Sequence, residues 1–369
     1  MSKKDTYAVI GAGNGGKAMA AHLALKGFKV TLFNRTAEKV SVIEELGGVH
    51  LTSYEDGPKG FGPIRTVTAD IGLAIKNACL IMVVVPSSAH RDIAAGMAPH
   101  LVDGQVVVLH PGRTGGALEF RQVLHEYGCT ADVTIAEAET FIYASRSEGP
   151  AEARIFRIKN AVPLAALPAS RTREVLDLIK QAYPEFVDGV NVLNTGLNNM
   201  GAIFHPALTL LNAGRIESTL GDFQFYIDGV TMSTARVLEV LDRERVTVAA
   251  AIGVRARTAL EWLDLAYNVQ GKDLYEAIHN QTGYYGIKAP STLSHRYIFE
   301  DIPMSLVPIS ALAKRYGVSV RGVDAIIRLA CIIHRTDYWR RGRTLDKLGI
   351  EDLSVSELTR FVQEGIAPY

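Results

Sequence analysis

Three cysteines in 369 residues, Cys79, Cys129 and Cys331, are too few and too scattered for a disulfide framework or a cysteine-based zinc site. Net charge is missing as well. The 39 basic residues balance 39 acidic ones, so no overall field draws the chain to nucleic acid or to an anionic membrane. No apolar run approaches the roughly 18 residues that span a bilayer, and Met1-Ser-Lys-Lys-Asp5 leads into the first strand without an apolar signal region. Low-complexity tracts and fixed-period repeats are absent too. What these absences leave is a cytoplasmic, globular protein with small-molecule partners and no bound metal. A 48% hydrophobic chain of this length suggests about two domains, each with its own core.

What is present starts at Tyr7-Ala-Val-Ile-Gly11-Ala-Gly13-Asn14-Gly15-Gly16, an apolar strand running into a glycine-rich turn and then a helix. The Gly-x-Gly-x-x-Gly spacing has a mechanical reason. Gly11 permits the tight turn, Gly13 lets the backbone approach a pyrophosphate, and Gly16 lets the helix pack closely on its strand. The helix N-terminus then offers unpaired N–H groups to the anion. A tight turn with no ligand is the bland alternative, and the second strand predicted at Phe28–Phe33 argues against it.

Further along, the periodicity predicts a helix over Thr36–Gly47, a hairpin or loop excursion over Gly48–Thr68 and a short helix from Asp70 to Asn77. Strands follow at Leu80–Val85 and Gln105–His110, with a helix between them from Ala89 to Leu101. Val133–Glu139 and Ala151–Leu167 supply more strands, and Arg171–Tyr183 a helix. Strands alternating with helices imply a Rossmann-type, doubly wound parallel sheet whose ligands sit beyond the strand C-termini. Val85, Pro86 and Gly112 therefore belong to the cofactor side. After about residue 190 the strand-like runs stop and long amphipathic helices take over, as at Met232–Gly253 and Val323–Ile333. The expected division is a dinucleotide-binding domain over 1–187 and an all-α domain over 188–369.

At the end of the second strand, where an NAD site presents an acid to the ribose hydroxyls, the chain has Asn34-Arg35-Thr36. No carboxylate there repels a 2′-phosphate, and Arg35 can pair with one. NADP(H) is the preferred cofactor and NAD(H) remains possible.

Two segments of the helical half carry candidate chemistry. In Asn198-Asn199-Met-Gly201-Ala-Ile-Phe-His205-Pro206, a histidine sits beside a helix-bending proline. In Ser294-His-Arg296-Tyr-Ile-Phe-Glu300-Asp301-Ile-Pro303, an arginine and two acids interrupt an apolar run. Arginine forks onto carboxylates, and a buried Asp can orient an imidazole and hold it protonated. A core histidine and a surface turn are the bland readings of the same residues.

The glycine turn, His110-Pro-Gly-Arg-Thr114-Gly-Gly-Ala-Leu-Glu-Phe120, Ala202–Asn212, Arg296–Pro308 and Arg343-Thr-Leu-Asp-Lys-Leu-Gly349 together resemble the octopine/nopaline (opine) dehydrogenase family over nearly the whole chain. The resemblance implies reductive condensation of an amino acid or amine with a 2-oxo acid, through an imine, to a secondary-amine dicarboxylate. It implies His205 as general acid and Asp301 as its carboxylate partner, with Arg296, Asn199, Thr114 and Ser145 at the substrate. It also implies a homodimer. Three positions depart from the family pattern. Gly201 stands where a bacterial member has a second asparagine, Ser145 where a substrate-facing cysteine is common, and Asn34-Arg35 where an acid serves NAD.

A lysine-dependent reductase of similar two-domain build is the rival enzyme. It needs a catalytic lysine on the first helices of the second domain, and no lysine occurs between Lys180 and Lys272. A catalytically silent NADP-binding sensor is the rival of another class, and a wide separation of His205 from Asp301 would favour it.

Overall fold

A computed structural model describes residues 6–366. By compactness the chain divides into two units. One holds the residues up to Gly112, Gly116–Thr195 and the chain from Arg360 on; the other holds Arg113–Gly115 and Gly196–Thr359. This partition differs from a single cut near residue 187: the main boundary follows Thr195, three residues of an early turn are counted with the helical half, and the chain from Arg360 is counted with the first unit.

The strands of the first unit are β1 (Thr6–Ile10), β2 (Lys29–Phe33), β3 (Gly48–Ser53), β4 (Gly60–Pro63), β5 (Thr66–Thr68), β6 (Leu80–Val83), β7 (Val106–Leu109), β8 (Thr134–Ala138), β9 (Tyr143–Gly149), β10 (Glu152–Ile158), β11 (Val162–Leu167) and β12 (Phe186–Asp188). Its helices are α1 (Asn14–Leu25), α2 (Ser41–Leu46), α3 (Ile71–Ile75), α4 (His90–Met97), α5 (Gly116–Glu126) and α6 (Thr172–Ile179), and α7 (Val192–Leu197) spans the division.

The main sheet runs β12-β11-β8-β7-β6-β1-β2-β5. From β5 to β8 every neighbouring pair is parallel. All four residues of β6 and of β7 are buried, as a sheet covered on both faces requires. Chain order reverses between β1 and β6, and the glycine turn leaves β1 at that switch point. One pair departs from the expected parallel sheet: β11 runs antiparallel to β8. The chain connects these strands through β9 and β10, which pair antiparallel with each other, so no crossover helix returns it in the same direction.

A second sheet, β4-β3-β10-β9, packs against α1. The Gly48–Thr68 excursion is thus a β3–β4 hairpin followed by β5 at the edge of the main sheet. Lys17 ties α1 to the β9–β10 turn, its Nζ donating to the carbonyls of Gly149 at 2.6 Å and Pro150 at 3.1 Å. The single helix expected over Thr36–Gly47 is a 3-10 turn at Ala37–Lys39 and then α2, closed by Gly47 at φ 73°.

The helical unit comprises α8 (Gly201–Leu211), α9 (Ala213–Thr219), α10 (Met232–Ala251), α11 (Ala259–Tyr267), α12 (Leu274–Asn280), α13 (Arg296–Phe299), α14 (Val307–Arg315), α15 (Arg321–His334), α16 (Tyr338–Arg341) and the first half of α17 (Val355–Glu364). The long α10 packs on α8, α12, α14 and α15. Its fully buried Arg245 pairs with Asp242 at 2.6 Å and donates to the carbonyls of Leu197 and Arg257, fixing the segment that enters α8. Between α13 and α14 lies a single π-helical turn, Ile302–Leu306. Pro303 and Pro308 each fall in the first turn of their segments, where a missing N–H costs little. This stretch is buried from Ile302 to Ser310, so it is not the surface turn of the bland reading. Among the described residues no helix is long and apolar enough to cross a membrane.

Candidate active site

In the helical unit, α8 presents His205 toward Asp301, the residue that leads into the π-helical turn. The imidazole Nδ1 lies 2.9 Å from Asp301 Oδ2, and Asp301 is fully buried. Because a carboxylate accepts, Nδ1 carries the hydrogen in the neutral ring, and Nε2 makes no hydrogen bond to a described residue. Tyr297 stacks on the imidazole at a centroid distance of 4.0 Å, and Phe225 backs Tyr297 at 5.3 Å. Arg296 is exposed beside this group and makes no ion pair among the described residues. Inside α8 the Thr209 hydroxyl donates to the carbonyl of His205 at 2.7 Å, holding the helix one turn beyond Pro206.

The other face of Asp301 is closed by Arg113. Arg113 Nη1 lies 2.9 Å from Asp301 Oδ1 and donates to Asn199 Oδ1 at 3.0 Å, while its Nε lies 3.6 Å from Glu300 Oε1. Asn199 in turn donates to Ser305 Oγ at 3.2 Å. A Cβ on Gly201 would fall 2.7 Å from Arg113 Nη1 and 3.2 Å from His205 Cε1, so a side chain there would displace the guanidinium.

The electrostatics invert one expectation. Burial pushes the His205 imidazole below its usual value; the Asp301 hydrogen bond and charge pull it back up, Arg113 and Arg296 push it down, and the net direction is down. Asp301 therefore does not hold the ring protonated, as the sequence suggested. Burial alone would raise the Asp301 carboxyl, but Arg113, His205 and Arg296 outweigh it and keep it below the usual range. At neutral pH the pair is an orienting carboxylate and a neutral imidazole.

In the first unit the glycine turn is shaped by what it leaves out. A Cβ on Gly11 would lie 2.4 Å from the Val84 carbonyl oxygen, and one on Gly16 would lie 1.7 Å from that of Gly11. A Cβ on Gly13 would meet nothing within 4 Å, so the turn is open at the start of α1, where no side chain caps the helix. This cradle and its free N–H groups fit a dinucleotide pyrophosphate. Asn14 Oδ1 accepts from Ser147 N at 3.0 Å, and Ser145 Oγ lies 3.4 Å from the Asn14 carbonyl oxygen. At the end of β2, Asn34 Nδ2 donates to the Thr36 carbonyl at 2.9 Å. The Arg35 side chain is 82% exposed and only loosely paired with Asp92 at 3.9 Å.

The structure brings His205, Asp301, Asn199, Thr114 and Arg296 together in the helical unit. It places Gly11, Gly13, Asn14, Gly15, Gly16, Asn34, Arg35, Thr36, Val85, Pro86, Gly112 and Ser145 in the first unit. Thr114 and Asn199 are buried and committed to the protein. The Thr114 hydroxyl donates to the Gly196 carbonyl at 2.9 Å, and Asn199 spans Arg113 and Ser305. The sequence reading missed Arg113, Tyr297 and Ser305 and gave Glu300 no role of its own. A signal existed for Arg113, which lies between Gly112 and Thr114 in a turn already singled out.

Residues 189–334 match the family model for the α-helical domain of NAD/NADP octopine/nopaline dehydrogenase, and residues 6–112 match that for the N-terminus of NAD-dependent glycerol-3-phosphate dehydrogenase. The opine dehydrogenase of Arthrobacter sp. (strain 1C) is 39% identical over 98% of this chain and 100% of its own length. The chain belongs to the opine dehydrogenase family. It is accordingly an NAD(P)-dependent oxidoreductase acting on CH–NH donors, of the type that condenses an amino acid reductively with a 2-oxo acid. An octopine dehydrogenase solved with NADH and L-arginine superposes with a TM-score of 0.80 at 20% identity, covering 99% of both chains. A yersinopine dehydrogenase with NADP+ bound gives 0.73 at 14% identity, covering 97% of both, and at these identities the likeness speaks for the fold. The glycerol-3-phosphate dehydrogenase family model is matched only over residues 6–112. With His205 and Asp301 at 2.9 Å, the separation that would have favoured a silent sensor is absent.

Proposed function

We propose that this opine dehydrogenase works through an imine, with His205 moving the protons, Asp301 orienting His205 and Arg296 holding a substrate carboxylate. The observation that carries the reading is the 2.9 Å bond from His205 Nδ1 to a buried carboxylate, which turns Nε2 into the ring's free basic atom. An amino acid arrives as an ammonium ion and must lose a proton before it can attack. The depressed imidazole is neutral near pH 7 and takes that proton at Nε2. After the amine adds to the oxo carbon, the imidazolium returns the proton to the departing hydroxyl, which leaves as water and gives the iminium. The bound nicotinamide supplies the hydride that converts this carbon into the secondary amine. Arg296, exposed and without an ion pair among the described residues, binds a carboxylate in a two-pronged fork and so aims the reacting carbon.

The cofactor is held by the turn from Gly11 to Gly16 and by Asn34, Arg35 and Thr36, and NADPH is preferred over NADH. The support is the missing acid at the end of β2 and an arginine whose loose surface pairing leaves it available to a 2′-phosphate. The partners are an amino acid or amine and a 2-oxo acid in the cytoplasm. The working form is a homodimer, supported by the family resemblance and by exposed Leu220, Leu265 and Ile332 on the helical unit. Sedimentation at micromolar concentration checks this, a monomer counting against it.

The test of the chemistry is cofactor oxidation across paired 2-oxo acids and amines, run with the parent protein and with His205→Ala. Turnover of a pair by the parent and its near loss in the variant is the expected result. A variant that turns over at the parent rate would leave His205 as core packing.

A further inference from the structure

Arg113 stands in the wrong part of the chain for its surroundings. It follows Gly112 of the first unit, yet the turn Arg113–Gly115 belongs with the helical unit. The backbone there is anchored on both sides: Thr114 N donates to the Met304 carbonyl at 3.2 Å, and fully buried Arg343 donates to the Thr114 carbonyl at 3.1 Å. Arg113 itself adopts a left-handed φ of 61°, uncommon for a residue with a side chain. That backbone aims a 7% exposed guanidinium at two adjacent buried acids. Burying Glu300 and Asp301 side by side without a cation would be prohibitive, and one planar fork reaches both together with the amide of Asn199.

We propose that Arg113 is a positioning residue for the reaction: its guanidinium, ion-paired at 2.9 Å with Oδ1 of Asp301, leaves Oδ2 to His205 and so fixes the ring's orientation for accepting a proton. This rests on the assignment of His205 as the proton carrier. The remaining charges around the pair are accounted for. Arg296, His295 and Tyr297 face it from α13 and its cap, and Tyr226 faces Asp301. On α10 the acid and base closest in kind, Asp242 and Arg245, are closed on each other, and on α15 Asp324 accepts from Ser310. On α9, Arg215 donates to the Asp228 carbonyl. Arg113 is thus the buried cation in contact with Asp301, and Arg296 is the exposed one.

The experiment follows the ionisation of His205 by NMR of histidine labelled at the ε1 carbon, assigned with His205→Gln, alongside the pH profile of kcat/KM. In Arg113→Met, Asp301 loses its counter-charge and the imidazolium takes its place, so both the NMR midpoint and the acid limb should rise by about 1 to 3 pH units. Arg113→Gln keeps a donor for the carboxylate while removing the charge; it should give the same rise and serves if the methionine variant does not fold. Arg113→Lys restores the charge and should return both readouts toward the parent. An NMR midpoint that stays put or falls in the neutral variants, or a lysine variant that shifts as far as they do, overturns the proposal. If the NMR midpoint rises while the kcat/KM profile does not follow, Arg113 keeps its place beside the pair and it is the catalytic role of His205 that falls.

Discussion

In the first unit the nucleotide turn is made by taking atoms away. Gly11, Gly15 and Gly16 stand where a Cβ would strike Val84, Phe141 and the Gly11 carbonyl, so the turn is defined by volume it must leave empty. In the helical unit the site is made by adding charges. His205, Asp301, Arg113 and Asn199 come from three segments, with His205 and Asp301 separated by 96 residues and Arg113 and Asn199 by 86. A site defined by missing volume is sensitive to any added atom and indifferent to pH. One defined by paired charges tolerates changes of shape but shifts its working pH whenever a charge is removed.

The hardest test of that contrast is His205→Ala. Turnover should fall by roughly 10²- to 10⁴-fold with the NADPH dissociation constant almost unchanged, since the nucleotide turn owes nothing to an imidazole. Stopped-flow turnover and fluorescence titration of cofactor check it; a matching loss of cofactor affinity would break the division of labour.

Asp301→Asn separates orientation from charge and should cost on the order of 10- to 10³-fold in kcat. The sign of its pH effect is opposite to that of losing Arg113. Asp301 raises an imidazole that burial and the arginines lower, so an uncharged amide sends the His205 midpoint further below its usual value. The acid limb of kcat/KM should therefore move to lower pH, and an upward move would contradict the assignment of charges.

Glycine replacements sharpen the other half of the comparison. Gly16→Ala puts a methyl against the Gly11 carbonyl, a backbone atom that cannot step aside, and should cost about 1 to 3 kcal/mol of stability, read as a lowered Tm. Gly13→Ala meets only open space, so its Tm should hold while cofactor affinity weakens about tenfold or more. Equal Tm losses in the two variants would mean that Gly13 serves the fold and not a ligand.

The same contrast explains what could be read in advance. The β1 strand, the glycine turn and α1 follow from local spacing, and Gly47 ends α2 for a reason visible in a single residue. The His205–Asp301 pair was reachable through resemblance, because both residues sit in distinctive segments. Arg113 was not, since its meaning depends on partners far away in the chain and on a backbone turn that places it among them. The strand β9 was lost for another reason: Tyr143-Ala-Ser-Arg-Ser-Glu-Gly is polar along most of its length and gives no apolar alternation. The direction of β11 was lost with it, because direction depends on what connects β8 to β11. The imidazole's charge was misjudged because the resemblance supplies the acid that partners it, whereas burial and two arginines, one of them from the turn after β7, outweigh that acid.

The smallest expected effect lies at the edge of the nucleotide site. Arg35 is exposed and only 3.9 Å from an equally exposed Asp92, so that ion pair contributes little to stability and breaks readily in favour of a better anion. A 2′-phosphate carries more charge than a carboxylate and accepts from guanidinium in a fork, and no acid at the end of β2 opposes it. The gain is limited because water and salt screen the same surface. Arg35→Ala should reduce the ratio of NADPH to NADH affinity by roughly five- to tenfold, with Tm and the pH profile unchanged. Raising the ionic strength of the parent protein should erode the preference in the same direction. If the unmodified protein binds both cofactors equally at low salt, Arg35 is a solvated surface charge, and the absent acid at Asn34 gives no discrimination by itself.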